Sequence, residues 1–187
     1  MNKDDIVAIL VLTIIVTTSV ATLAVTDSVT REKIEEAKRM EIQQNLAVQF
    51  PDMTDFIFDK KIGIYTIYMG NTSDEDNIIG YAFEAQGSGY GGTIEMLVTL
   101  KDFETLNGIA IISHMETPGL GAKITERSFT DQFKNLAIED IALRSDNGQV
   151  DAISGATISS SAVVDAIKKT TLKKIKLLQE GSNEAGG

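Results

Sequence analysis

Residues 62–69 read Ile-Gly-Ile-Tyr-Thr-Ile-Tyr-Met, an alternating run of β-branched and aromatic residues. Such a run is typical of a strand, because successive side chains point to opposite faces of a sheet. The polar stretch 70–77 predicts a turn, and residues 78–84 predict the antiparallel partner strand. Two further strands are predicted, at 93–100 and, after an Asn107-Gly108 turn, at 109–113. The pattern therefore predicts an antiparallel meander.

Helices are predicted on both sides of this sheet. Residues 28–49 are charged and rich in helix formers, which predicts a helix that ends before Pro51. Residues 125–133 predict a short helix with Phe129 and Phe133 as core anchors. Residues 160–179 have apolar positions at helical spacing. The predicted fold class is α+β, a small domain with an antiparallel sheet and flanking helices.

The last predicted helix carries a row of basic side chains opposite its apolar positions. We expect them to form a solvated face, and contact with anionic lipid or an acidic partner is the alternative. These residues are Lys168, Lys169, Lys173, Lys174 and Lys176.

The N-terminal part of the chain contains an unbroken uncharged run at residues 6–25. About 20 apolar residues are enough to cross a bilayer as a helix. Its threonines fit this prediction, since their hydroxyls can bond to carbonyls of the same helix. A cleaved signal peptide is the alternative, but residues 2–5 do not form a basic region. We therefore predict a single N-terminal transmembrane helix ahead of the α+β domain.

The predicted organisation follows from these segments. It comprises an N-terminal tip at 1–5, the transmembrane helix at 6–25, a juxtamembrane helix at 26–50, one domain at 51–180 and a disordered tail at 181–187. Only Lys3 precedes the apolar run, whereas four basic residues follow it closely. Counting Lys and Arg alone therefore places the domain on the cytoplasmic side.

Composition narrows the possible functions. The 187-residue chain has room for one compact domain of ordinary size. It has no Cys, which excludes disulfides, iron–sulfur clusters and thiolate metal sites, and its single His114 cannot form a histidine cluster. A net charge of -10 argues against a nucleic-acid partner. No metal site is expected.

A candidate phosphate anchor lies at residues 151–161, which read Asp-Ala-Ile-Ser-Gly-Ala-Thr-Ile-Ser-Ser-Ser. Gly155 and Ala156 allow a ligand to approach closely, and they precede the hydroxyl of Thr157. The unpaired amides and the dipole of the following helix favour an anion at the same point. On composition alone, a capped helix after a turn is the favoured explanation of the same residues, since turns of small residues before helices are common.

Two glycine-rich junctions adjoin the predicted strands: 86–92 lies between two of them, and 114–121 follows the last. The first has glycines at Gly-x-Gly-x-x-Gly spacing, at 87, 89 and 92, but it is not expected to open a helix and no lysine follows at P-loop spacing. A flexible hairpin connection therefore explains it. The second is stiffened by Pro118, and its glycines permit close approach. It also contains two titratable groups, His114 and Glu116. A lone His is often a structural hydrogen-bonding group.

Three of these motifs resemble those of FMN-binding domains and occur in the same order. They are Gly-Tyr-Gly-Gly at 89–92, Glu-Thr-Pro-Gly-Leu-Gly at 116–121 and Ser-Gly-Ala-Thr at 154–157. With the N-terminal helix and the short length, the chain is similar to the G subunits of Rnf complexes, the ion-translocating ferredoxin:NAD oxidoreductases. The related C subunits of sodium-pumping NADH:quinone oxidoreductases are one alternative. A stand-alone FMN-binding sensory or reductase domain and a scaffold protein are others.

The resemblance implies specific roles for residues of this chain. Thr157 carries FMN through a phosphoester, and Asp151 begins the motif that a separate flavin transferase recognises. His114 and Lys123 are further candidates. The residues expected to bind the cofactor are Tyr90, Gly91, Gly92, Glu116, Thr117, Pro118, Gly119, Leu120, Gly121, Ser154, Gly155, Ala156, Ser159 and Ser160.

The resemblance also implies partners and a location. The chain is expected to pass electrons within a membrane complex that couples ferredoxin:NAD oxidoreduction to sodium or proton translocation. Its partners are then the other Rnf subunits, the flavin transferase and the lipid bilayer. The family places the soluble domain on the extracytoplasmic side of the cell membrane, against the count of basic residues. No residue is expected to act as an acid or base, since the isoalloxazine carries the electron chemistry.

Overall fold

The computed structural model describes the backbone of residues 3–70 and 75–184 and most of their side chains. The chain divides between Gln43 and Gln44 into two compact units. The elements are α1 (Lys3–Gln49), β1 (Asp55–Asp59), β2 (Ile64–Tyr68), β3 (Ile78–Ser88), β4 (Thr93–Leu100), β5 (Leu106–Ser113), α2 (Arg127–Thr130) and α3 (Thr157–Glu184). Three short 3-10 turns lie between α2 and α3.

The predicted antiparallel meander is confirmed, with strands in the order β1-β2-β3-β4-β5. Strand β1 was not predicted, because it is a short, mostly exposed edge strand without a clear alternation. Aromatic packing holds it to β2: the ring of Phe58 stacks on Tyr65 at a centroid distance of 4.4 Å. Phe56 meets the same ring edge-on at 5.8 Å. The sheet and its helices confirm the α+β fold class.

The main hydrophobic core lies on the face of the sheet that packs against α3. Phe83 of β3 and Met96 of β4 are fully buried there, together with Val163 and Ile167 of α3. Gly87 lets α3 approach the sheet, since a Cβ at this position would lie 2.4 Å from the carbonyl oxygen of Ala162. The core therefore fixes where α3 begins relative to the strands.

The predicted helix at 125–133 is found as α2 followed by a 3-10 turn at Asp131–Phe133. Phe129 and Phe133 are both buried, with their rings edge-to-face at 5.5 Å. Their prediction as core anchors is confirmed.

The end of α1 packs against the opposite face of the sheet. This contact explains why the turn predicted at Asn107-Gly108 is not found. Asn107 and Gly108 do not form a turn but belong to β5. The Asn107 amide donates to the carbonyl of Gln49 at 2.7 Å, and the Gln49 amide donates to the carbonyl of Ile109 at 3.0 Å. A Cβ at Gly108 would lie 2.4 Å from Oε1 of Gln49. Gly108 therefore leaves the space that the Gln49 side chain occupies.

Helix α1 contains the segments predicted as a transmembrane and a juxtamembrane helix, and it ends at Gln49. Over the part of the chain that the structure describes, no helix combines the length and the apolar character needed to cross a membrane. The predicted span at 6–25 includes side chains outside the described set, at 6–8 and 24–25. The transmembrane segment is not confirmed and stays a prediction.

Helix α3 begins at Thr157, earlier than predicted, and continues to Glu184. Residues 181–184 of the predicted tail are therefore helical, and 185–187 lie outside the described residues. The lysine face is not uniformly solvated. Lys174 is half-buried and donates to the carbonyls of Ile62 and Gly63, which holds the turn after β1 against α3. Burial lowers the pKa of Lys174, and neighbouring Lys173 lowers it further.

Candidate functional site

A cavity of about 460 Å³ opens to solvent where the loops after β3 and β5 meet the start of α3. Its volume lies within the range of roughly 300–1,000 Å³ that is usual for ligand sites. The lining residues are Tyr90, Glu116, Thr117, Leu120, Gly121, Gly155, Ala156, Thr157, Ile158 and Ser159.

One end of the cavity is the first turn of α3. The N–H of Ala156 donates to the carbonyl of Ile153 at 2.9 Å, closing a turn in which Gly155 has a φ of 78°. A left-handed φ of this kind favours glycine, because other residues are strained there. Thr157 follows as the first helical residue and is exposed at the cavity. Thr157 therefore lies at the same end of the cavity as the first-turn amides, which have no acceptor inside the helix.

Ser160 stabilises this helix start from the interior side. Its hydroxyl accepts a hydrogen bond from the N–H of Ile153 at 3.0 Å and donates to the carbonyl of Ala156 at 3.0 Å. Ser160 is fully buried and does not line the cavity. Its contacts therefore hold the turn in place.

Glu116 connects the cavity walls. Oε1 accepts a hydrogen bond from the N–H of Gly91 at 2.9 Å, and Oε2 accepts one from the hydroxyl of Ser159. The backbone N–H of Glu116 donates to Nδ1 of His114 at 3.2 Å. One carboxyl group thus joins the loop after β3 to the first turn of α3.

The rim of the cavity is apolar and exposed. Tyr90 is 75% exposed, Ile158 58% and Leu120 48%. Large apolar side chains in contact with water around a concave site are typical of surfaces that a ligand or partner covers. Ile158 was not predicted as a site residue. Its position directly after Thr157, in the first turn of a helix, is the sequence feature that could have identified it.

The structure brings together nine of the predicted site residues. They are Tyr90, Glu116, Thr117, Leu120, Gly121, Gly155, Ala156, Thr157 and Ser159. The other predicted residues do not line the cavity. These are Gly91, Gly92, His114, Pro118, Gly119, Lys123, Asp151, Ser154 and Ser160.

Asp151 and Lys123 line a separate groove of about 320 Å³ beside α2. The Asp151 carboxylate accepts hydrogen bonds from Nε and Nη2 of Arg144 at 2.8 and 3.3 Å. Gln132 holds the Asp151 backbone, since its Oε1 accepts from the Asp151 N–H at 2.7 Å and its Nε2 donates to the Asp151 carbonyl at 3.3 Å. Asp151 is therefore fixed in orientation although it is exposed.

The hydrogen bond from Arg144 is the main reason why the pKa of Asp151 lies below its usual value. We expect Arg144→Gln to raise this pKa, as measured by NMR titration of the carboxyl group. Because folding lowers the pKa, the pair stabilises the native state above the pKa of the unfolded chain and loses this effect as pH falls through the native pKa. Lys134→Gln, which removes an exposed cation paired with Asp131, is the matched control and should leave Asp151 unchanged. An unchanged Asp151 pKa in Arg144→Gln would contradict the assignment.

Comparison with known proteins identifies relatives of this chain. Residues 89–171 match the model of the FMN-binding domain. The chain is 35% identical to the G subunit of the ion-translocating oxidoreductase complex of Methanosarcina acetivorans, over 89% of this chain and 92% of that protein. It is 38% identical to the G subunit of the proton-translocating ferredoxin:NAD(+) oxidoreductase complex of Clostridium ljungdahlii, over 49% of this chain and 51% of that protein.

A solved structure is also similar, that of the C subunit of the Na(+)-translocating NADH-quinone reductase from Parabacteroides distasonis. It is 21% identical, with a TM-score of 0.48, and the match covers 66% of this chain and 77% of that one.

Proposed function

Because this chain belongs to the family of the G subunits of ion-translocating oxidoreductase complexes, we propose that it is an electron-transfer subunit of such a complex with FMN as its cofactor. The observation that carries the proposal is the cavity at the start of α3. All of its lining residues fall within the stretch that matches the FMN-binding domain. The cavity joins an anion-favouring helix start to an apolar rim, and FMN has both a phosphate and an aromatic ring system.

The phosphate end of FMN fits the first turn of α3. Anions bind well where helix amides lack acceptors and the dipole is positive. We propose that FMN is attached covalently, as a phosphoester to the exposed hydroxyl of Thr157. A separate flavin transferase installs it, and the fixed Asp151 is part of the surface that this enzyme recognises.

The ring end of FMN fits the apolar rim. Tyr90, Leu120 and Ile158 offer exposed apolar surface that a planar ring can cover. When bound, FMN supplies the electron chemistry, and the protein supplies attachment, orientation and local charge. An ester at the phosphate leaves the ring free to exchange electrons with neighbouring carriers.

We propose that residues 6–25 of α1 anchor the protein in the cell membrane. In the described part of this segment, side chains such as Ile9, Leu12 and Val20 are more than half exposed. Hydroxyl groups in the segment donate to carbonyls one turn earlier, for example Thr13 to Ile9 at 2.8 Å and Thr17 to Thr13 at 2.7 Å. The polar atoms are thus satisfied within the helix, as a hydrocarbon environment requires.

We propose that the domain lies on the extracytoplasmic side of the membrane. Labelling of an introduced thiol tests this location. The chain has no Cys, so Gln179→Cys introduces a single reactive thiol at an exposed position of α3. We expect a membrane-impermeant maleimide to label this variant in intact cells, with the Cys-free parent as the blank. Labelling that appears only after the membrane is broken would place the domain in the cytoplasm.

The function itself can be tested by complementation. In a host that lacks its own G subunit, we expect this chain to restore ferredoxin-dependent NAD reduction by membrane vesicles. Equal rates with and without the chain would contradict the proposal and favour a scaffold or a stand-alone flavoprotein. The alternative of a quinone-reductase C subunit has less support, because a relative aligned over 89% of this chain is named as a G subunit.

A further inference from the structure

Glu116 is a buried carboxyl group in the wall of the cavity, and its surroundings are shaped around it. The side chain is only 5% exposed. A Cβ at Gly89 would lie 2.2 Å from its Oε1, and a Cβ at Gly121 would lie 2.5 Å from its Oε2. With Glu116 in its observed position, a side chain at either glycine would clash with the carboxyl group. The backbone of two loops is therefore built to accommodate this side chain.

Both oxygens of Glu116 accept hydrogen bonds, from the N–H of Gly91 and from the hydroxyl of Ser159. A carboxyl group that accepts at both oxygens matches the ionised form, which has no hydrogen to donate. Among the residues that the structure describes, no Lys or Arg side chain forms an ion pair with it. The negative charge is held by neutral donors alone.

These hydrogen bonds do not by themselves require a charge. A glutamine has the same shape, could accept from Gly91 through its oxygen and could donate to Ser159 through its amide. A buried carboxylate without a cation is energetically costly compared with a neutral polar group. Costly charges of this kind concentrate at functional sites. The feature that only Glu supplies at position 116 is negative charge in the cavity.

The structure assigns to Glu116 the role of lowering the reduction potential of the flavin held in this cavity, an inference that rests on the proposed function. Reduction adds electrons from a donor to the isoalloxazine ring. A fixed negative charge in the wall of the cavity that holds the flavin raises the free energy of the reduced form, and burial strengthens this effect because screening by water is weak. The oxidised ring is affected less, so the equilibrium moves toward it.

A redox titration of the loaded full-length protein tests the inference. Glu116→Gln keeps the side-chain shape and removes the charge, so its midpoint potential should shift to a more positive value than that of the wild type. Glu126→Gln is the control, because it removes an exposed carboxylate from the separate groove and should leave the potential unchanged. An unchanged potential in loaded Glu116→Gln would overturn the inference.

Ser159→Ala gives an independent test that does not depend on the folding of the Glu116 variant. It keeps the carboxylate and removes one of its two donors, so the charge is less compensated and the potential should shift to a more negative value. If the substitutions merely loosened the cavity, the midpoint potentials of the two variants would not be expected to shift in opposite directions. A positive or absent shift in Ser159→Ala would overturn the assignment. Absence of flavin from the wild-type protein would instead contradict the proposed function.

Discussion

Thr157→Ala is expected to abolish the flavin fluorescence of the denatured protein band. The attachment requires a hydroxyl, and Thr157 provides an exposed one at the cavity beside the first-turn amides of α3. Denaturation removes any flavin that is bound without a covalent bond. The measurement is in-gel fluorescence of protein that was produced together with a flavin transferase, normalised to the amount of protein.

Two matched variants control this prediction. Thr157→Ser keeps a hydroxyl at the same position and should retain part of the fluorescence. Ser161→Ala removes a hydroxyl one turn further along α3, outside the cavity lining, and should retain nearly all of it. If the fluorescence of Thr157→Ala equals that of the wild type, the attachment site is a different residue.

The second large effect is expected for Gly91→Ala. A Cβ at Gly91 would lie 2.0 Å from the carbonyl oxygen of Met115, and backbone atoms cannot move aside as a flexible side chain can. The loop must therefore shift, which also breaks the hydrogen bond from the Gly91 N–H to Glu116. Overpacking of this kind costs about 1–3 kcal/mol. We expect a lower melting temperature and a severalfold decrease in the fraction of protein that carries flavin.

Gly119→Ala is the control for this effect. A Cβ at Gly119 would have no atom within 4 Å, so the substitution costs only the strain of its φ of 75°. We expect flavin loading close to that of the wild type. Equal loading in Gly91→Ala and Gly119→Ala would show that the contact between Gly91 and Met115 does not shape the site.

The sequence predicts the sheet well where strands are buried and alternate in character. Strands β2 to β5 were expected on that basis, whereas β1 was missed because most of its side chains are exposed at the sheet edge. The prediction of a turn at Asn107-Gly108 was wrong. These two residue types are typical of turns, but in this protein they contact a side chain from a distant part of the sequence. Gln49 lies far away in the sequence, so no local pattern reveals its contact with β5.

The candidate site follows the same rule. Thr157, Gly155 and Ala156 were predicted from adjacent residues, since the turn and the helix start are local. The roles of Glu116 and Lys174 depend on contacts between distant segments. The sequence therefore places Glu116 near the site without showing that it is buried and bridges two walls. Asp151 is close to Thr157 in sequence but lines another groove, because the turn at 153–156 changes the direction of the chain.

Mass spectrometry of the tryptic peptide 145–168 tests the central claim most directly. This peptide contains Thr157 together with the serines at 145, 154 and 159–161. We expect an added mass of FMN less one water, present only on fragment ions that include Thr157. An unmodified peptide from protein produced with the transferase, or the added mass on one of the serines, would contradict it.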